Sequence, residues 1–198
     1  MDLKNSMLLA NMMSKSGGEE KILNLVSVGG ATYDSDYIFI NDGSNKYFET
    51  IDDINISDTT TSFEFVLKFK PIINGTANGL FMRYNSIDFS AFINAGATQL
   101  VPMLNGSSFE VSVSFTNSWY WFKVKRNINT SHWEFCLSTD GITYDIFKTK
   151  DNNTNLGAKK IRYGQGSPYS PSSPYKLNGQ IDFAGSDIII NGQSVLWV

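Results

Sequence analysis

One cysteine, one histidine and five prolines in 198 residues leave this chain without the means for several kinds of chemistry. Cys136 alone closes no intramolecular disulfide and builds no cysteine-clustered metal site. With His132 as the single imidazole, HExxH helices and multi-histidine zinc sites are excluded. No apolar run approaches the roughly 20 residues with which a helix spans a bilayer, so an integral membrane protein is not expected. Sixteen basic against nineteen acidic residues give a net charge of -3, which offers no electrostatic footprint for nucleic acid. What is present is apolar and aromatic: 41% hydrophobic and 14% aromatic residues place the chain among folded domains, not disordered ones. A chain of this length buries roughly 70% of its extended surface without disulfides or metals.

The N-terminal MDLKNSMLLA does not read as a secretory signal. Asp2 offsets Lys4, and Asn11 ends an apolar stretch far shorter than the about 7–15 residues such a signal needs. Met7, Leu8, Met12 and Met13 can line one face of a short helix, which Ser16-Gly17-Gly18 then breaks. Residues 1–20 are therefore expected to be an attachment segment that docks on a partner or on sister subunits, methionine being suited to adaptable contacts, with a disordered or vector-derived tail as the alternative.

From residue 21 the pattern changes to a period of two. Residues 62–70 (SFEFVLKFK) put Phe63, Phe65, Leu67 and Phe69 on one face. In residues 109–115 the inward set is Phe109, Val111, Val113 and Phe115; in 132–139 it is Trp133, Phe135 and Leu137. This alternation, rich in aromatic and β-branched residues, predicts half-buried antiparallel strands. Asp42-Gly43, Asn74-Gly75, Asn78-Gly79, Asn105-Gly106, Asp140-Gly141, Asn178-Gly179 and Asn191-Gly192 supply turn signals between such runs. More than eight strands at spacing near ten residues predict an all-β fold, a two-sheet antiparallel jelly-roll sandwich over 21–198. Residues 21–28 and 193–198 read as strands that tie both ends of that domain into the sheets.

Three stretches carry a family likeness. They are residues 62–72, residues 117–145 (NSWYWFKVKRNINTSHWEFCLSTDGITYD) and residues 177–197 (LNGQIDFAGSDIIINGQSVLW). Together they resemble the concanavalin A-like, laminin-G-like jelly-roll superfamily, and the last is similar to the version found in bacteriophage tail, baseplate and head-fibre proteins. The resemblance covers about 21–198, and its motifs are structural, not catalytic. It implies a virion protein made in the host cytoplasm, attached through residues 1–20 to other virion proteins and displayed as a homo-oligomer.

Some members of that superfamily hydrolyse β-glucans with glutamates paired on one strand, where alternate residues share a face. Here Glu49 is followed by Asp52 and Asp53 at the wrong spacing, and Glu64, Glu110 and Glu134 are expected to stand alone on separate strands. His132 and Cys136, four apart on one strand, would be about 13 Å apart, too far for a nucleophile and its base. No enzyme activity is expected. Calcium is the one ion the resemblance makes possible, with Asp140, Asp145 and Asp151 as candidate ligands alongside Asn152 and Asn153, and Asp52, Asp53 and Asp58 as a second set. No other cofactor is expected.

Sugars stack on exposed tryptophan and tyrosine rings. Trp121, flanked by lysines on a predicted outer face, is a candidate platform; coverage by a loop or by lysine stems is the competing reading. Tyr169 and Tyr175 lie in a loop stiffened by three prolines and are candidates at the rim; their alternative is to pin that loop onto the sandwich. The functional expectation is a non-enzymatic virion accessory protein that engages host surface glycans. A purely structural capsid or tail decoration and an extracellular bacterial carbohydrate-binding module are the alternatives.

Overall fold

The computed structural model describes residues 22–57, 62–84, 86, 88–127, 132–151, 155–166 and 174–198. The expected docking segment 1–20 lies outside them, as do Tyr169, Asp58, Asn152 and Asn153. Among the described residues all regular structure is β. The first half of the chain forms β1 (Leu25–Val28), β2 (Ile38–Asp42), β3 (Tyr47–Thr50), β4 (Ile54–Ile56), β5 (Ser62–Pro71), β6 (Asn78–Arg83) and β7 (Phe89–Ile93). Next come β8 (Gln99–Leu104), β9 (Ser107–Ser108), β10 (Val111–Ser112), β11 (Tyr120–Asn127), β12 (His132–Ser138) and β13 (Asp145–Asp151). The chain closes with β14 (Gly157–Lys159), β15 (Ile161–Tyr163), β16 (Gln165–Gly166), β17 (Tyr175–Lys176), β18 (Asn178–Ile190) and β19 (Gln193–Ser194).

Fifteen of these strands make two antiparallel layers, while β4 pairs with β14 and β16 with β17 in two-stranded sheets. An eight-stranded sheet runs β1-β3-β15-β6-β7-β8-β10 with β9 on β8, and a seven-stranded sheet runs β13-β12-β11-β5-β18-β19 with β2 on β18. Neighbours that are distant in sequence, such as β5 and β18, give the jelly-roll crossovers. The architecture is all-β, a two-sheet sandwich.

The core follows from the alternation. Phe63, Phe65, Leu67 and Phe69 of β5 are buried, as are Phe122, Val124, Trp133 and Phe135 of the strands beside it. They meet Phe81 and Phe89 from the other sheet, with Phe65 and Phe81 ring centroids 4.4 Å apart. Burying one such ring contributes roughly 1.5–3 kcal/mol. The two ends of the described chain meet: Leu23 bridges Trp197, and Ile22 N–H donates to the Val198 carbonyl at 2.6 Å.

Two local expectations change. Residues 109–115 were expected to form one alternating strand, but only Val111–Ser112 pairs with β8. Val113 and Phe115 continue the contact by single backbone bonds to Thr98 and Ala97, because this is the outer edge of the sheet and its partner turns away. Asn78-Gly79 and Asn178-Gly179 are not turns; both dipeptides open strands. A Cβ on Gly79 would run into the Tyr175 carbonyl and the Gly166 nitrogen, so this glycine serves a close backbone approach. Asn105-Gly106 (φ 50 and 72) and Asn191-Gly192 (φ 53 and 80) do form the positive-φ turns expected of them.

Candidate functional site

Trp121 lies on the outer face of the seven-stranded sheet and is partly covered. The Lys68 ammonium, from the adjacent β5, stands 5.1 Å from the ring centroids of both Trp121 and Trp119. On the indole edge lies the turn after β12: a Cβ on Gly141 would come within 2.8 Å of Trp121 Cε2. Tyr175 rests on Phe92, ring centroids 5.2 Å apart, while its main chain pairs with Gly166. Neither partner was legible locally, since Lys68 and Phe92 come from strands far away in sequence.

Two of the calcium candidates, Asp140 and Asp151, are engaged otherwise. Asp140 Oδ1 accepts hydrogen bonds from the Ile142 and Thr143 amides and the Ser138 hydroxyl, all at 2.8 Å. The two amides, then the hydroxyl, hold this carboxyl down at about 2. Asp151 Oδ1 stands 2.7 Å from His132 Nδ1. Asp145 opens β13 as an exposed side chain. Among the described residues no three His, Cys, Asp or Glu side chains gather as a metal site.

The turn that Asp140 holds together borders a groove of about 550 Å³ at the open side of the sandwich, between β10 and the β12–β13 connection. Its floor includes Val113, Leu137 and Phe147, half-buried against the core. Its rim carries the exposed hydroxyls of Ser112, Thr139 and Thr143, with the carboxylates of Asp140 and Asp145. The size falls within the roughly 300–1,000 Å³ of ligand pockets. Apolar floor and polar rim match the two kinds of surface on a pyranose.

A second cluster lies on the outer face of the eight-stranded sheet and was not foreseen from the sequence. Arg162, on β15, pairs across to Glu49 on one side and Met82 on the other. Its Nε donates to Glu49 Oε2 at 2.7 Å. The guanidinium carbon lies 4.8 Å from the Tyr47 ring centroid and 4.2 Å from that of Tyr84, so the cation contacts both rings. Burial pushes the Tyr47 hydroxyl up, against the opposing pull of Arg162. The sequence offered no signal beyond four residues scattered over two strands and the turn that follows β6.

Glu64 and Glu134 lie on separate strands, β5 and β12, as expected, but converge across them. They face the same side across β11, each in register with Lys125 between them, and line a second cleft of about 510 Å³ with His132. Lys125 Nζ is 3.5 Å from Glu64 Oε2 and Lys123 Nζ is 3.9 Å from Oε1. The alternating signs make this a cross-strand ion row. Cys136, on the same face, is buried, and burial pushes its thiol up, away from nucleophilic use.

No protein-family model and no curated protein matches the sequence. Solved structures do. One describes the entry of botulinum neurotoxin type C into cells through two ganglioside molecules; it aligns at a TM-score of 0.55 and 11% identity, over 93% of this chain and 48% of that one. The binding domain of botulinum neurotoxin DC with SialylT aligns at 0.54 and 11%, over 94% and 48%. The same domain with rat synaptotagmin II aligns at 0.55 and 13%, with the same coverage. The fold is a jelly-roll sandwich. This chain spans about half the length of those structures, and at such identity the likeness establishes architecture alone.

Proposed function

We propose that the protein is a non-enzymatic glycan-binding module, displayed on a phage particle and engaging host surface saccharides through the groove beside Asp140. The observation that carries this reading is the groove itself: an apolar floor of Val113, Leu137 and Phe147 under a rim of hydroxyls and carboxylates, of which Asp140 is fixed by the β12–β13 turn. The apolar floor suits the C–H face of a sugar ring, and the rim suits its hydroxyls. Similar architecture in a toxin domain that engages gangliosides supports the same class of ligand. The virion setting rests on the sequence likeness of residues 177–197 and on the Met/Leu segment before Gly17. A weak single site gains strength through repetition on one particle, by a factor of about 10²–10⁴.

The test is a glycan array probed with a multimerised form of the chain, paired with cell binding. Retention of a saccharide, lost on Thr143→Trp in the groove with an unchanged melt, supports the reading. A blank array and no cell binding overturn it in favour of a structural decoration role.

A further inference from the structure

We infer that Arg162 is the anion fork of a saccharide site on the outer face of the eight-stranded sheet, taking the carboxylate of an acidic sugar. This goes beyond the groove, and takes from the glycan-binding reading only the general class of ligand.

The fork is fixed before any ligand arrives. The guanidinium carbon lies 4.8 Å from the Tyr47 ring centroid and 4.2 Å from that of Tyr84, and Glu49 holds Nε. Among the described residues the Nε bond is the only hydrogen bond this side chain makes, so neither η nitrogen has a protein acceptor, on a side chain that is 12% exposed. A planar guanidinium edge with parallel N–H groups matches the two oxygens of a carboxylate, and holding it rigid lowers the entropy lost on binding. Charge agrees with an anion. Lys160 Nζ lies 3.9 Å from Glu49 Oε1, so two cations face one carboxylate, an excess of one positive charge.

The neighbouring surface selects what the anion is attached to. Tyr84 is 43% exposed, so beside the fork stands an aromatic face open to a ring with apolar C–H groups. Inorganic sulfate or phosphate would use the fork and leave that ring untouched. A uronic or sialic acid presents carboxylate and ring together. In the groove the lining charges are carboxylates, Asp140 and Asp145, so the two places would take sugars of different charge.

The test is a titration of the full chain followed by NMR, reading the Arg162 Nε–H and the Tyr84 ring. The probes are sodium glucuronate, N-acetylneuraminate, glucose and sodium sulfate. Glucuronate or neuraminate should shift both signals with millimolar affinity, glucose should shift neither, and Tyr84→Ala should weaken acid binding by about tenfold. Arg162→Lys should weaken it at least as much, since lysine keeps the charge and loses the fork. Glu49 loses a partner in that variant, so Tyr84→Ala, with Arg162 intact, decides the case if Arg162→Lys melts early. Silence with both acids at tens of millimolar overturns the inference. A sulfate response equal to that of glucuronate, without change at Tyr84, also overturns it and leaves an adventitious ion only. Groove binding of a neutral sugar on the array alongside that silence would keep the general reading and remove this site alone.

Discussion

Each outer face of the sandwich holds a cation against two aromatic rings, and the two arrangements leave different chemistry free. On the seven-stranded sheet Lys68 stands beside Trp119 and Trp121 and reaches Asp182 Oδ2 at 2.6 Å. Gly185 lies so close beneath it that a Cβ there would collide with the lysine stem. Rings, counter-ion and backbone all contact that side chain, which is 22% exposed against 12% for Arg162, so burial alone does not separate the two. On the eight-stranded sheet Arg162 is held as firmly, by Tyr47, Tyr84 and Glu49, yet among the described residues neither η nitrogen has a protein acceptor. A stacked cation is therefore not a site by virtue of stacking. Guanidinium geometry makes the difference, because it allows one edge to be anchored while another, planar and two-pronged, is offered.

The comparison breaks most visibly at Trp121. If the ring is a packing element, Trp121→Ala should cost about 2–3 kcal/mol and lower the melting temperature by about 5–10 °C. Tyr84→Ala, truncating an exposed ring, should move the melt by no more than about 2 °C. Thermal melts of the two variants check both. Sugar binding lost in Trp121→Ala at an unchanged melting temperature would make that ring the platform and invert the contrast.

A smaller effect is expected at Lys68. Lys68→Met keeps the stem against the indoles but leaves the buried Asp182 without its ammonium, at a cost of about 1–3 kcal/mol. Adding Asp182→Asn should recover part of that loss, because the stranded charge goes too. Denaturant unfolding of the single and double variants measures the coupling. Additive losses would mean that the pair is a surface contact, weaker than its geometry suggests.

These two regions also mark how far the sequence could be read. The core faces of β5, β11 and β12 follow from alternation, because burial in a sandwich imposes a period of two that each strand carries within itself. The outward placement of Trp121 was legible for the same reason. What covers it was not: Gly141 lies 20 residues further along the chain, and Lys68 comes from β5 through the β5–β11 register. The Asn-Gly signal was right at 105–106 and 191–192, where it acts locally. It misled at 78–79, where the demand on glycine comes from the approach of Tyr175 and Gly166. The Arg162 cluster is the extreme case. Arg162 and Glu49 are 113 residues apart and meet only because β15 inserts between β3 and β6. No local pattern encodes such a meeting.

The finest distinction concerns the turn after β12, which lies against Trp121 on one side and borders the groove on the other. Its carboxylate, Asp140, is held at about 2 by two backbone amides and the Ser138 hydroxyl. An unfolded aspartate titrates near about 3.9. Because the folded value is the lower one, ionised Asp140 favours the folded chain above about pH 4, and this contribution fades as pH falls towards about 2. Asp140→Asn keeps one acceptor oxygen and removes the charge, so the variant should melt below the parent at pH 6 and the gap should close by pH 2. Thermal melts of both proteins across that range measure it. A gap unchanged at pH 2 would assign the effect to side-chain geometry instead of charge. If the gap does close while Trp121→Ala loses its stability penalty at no pH, the turn is an electrostatic device laid over a hydrophobic contact.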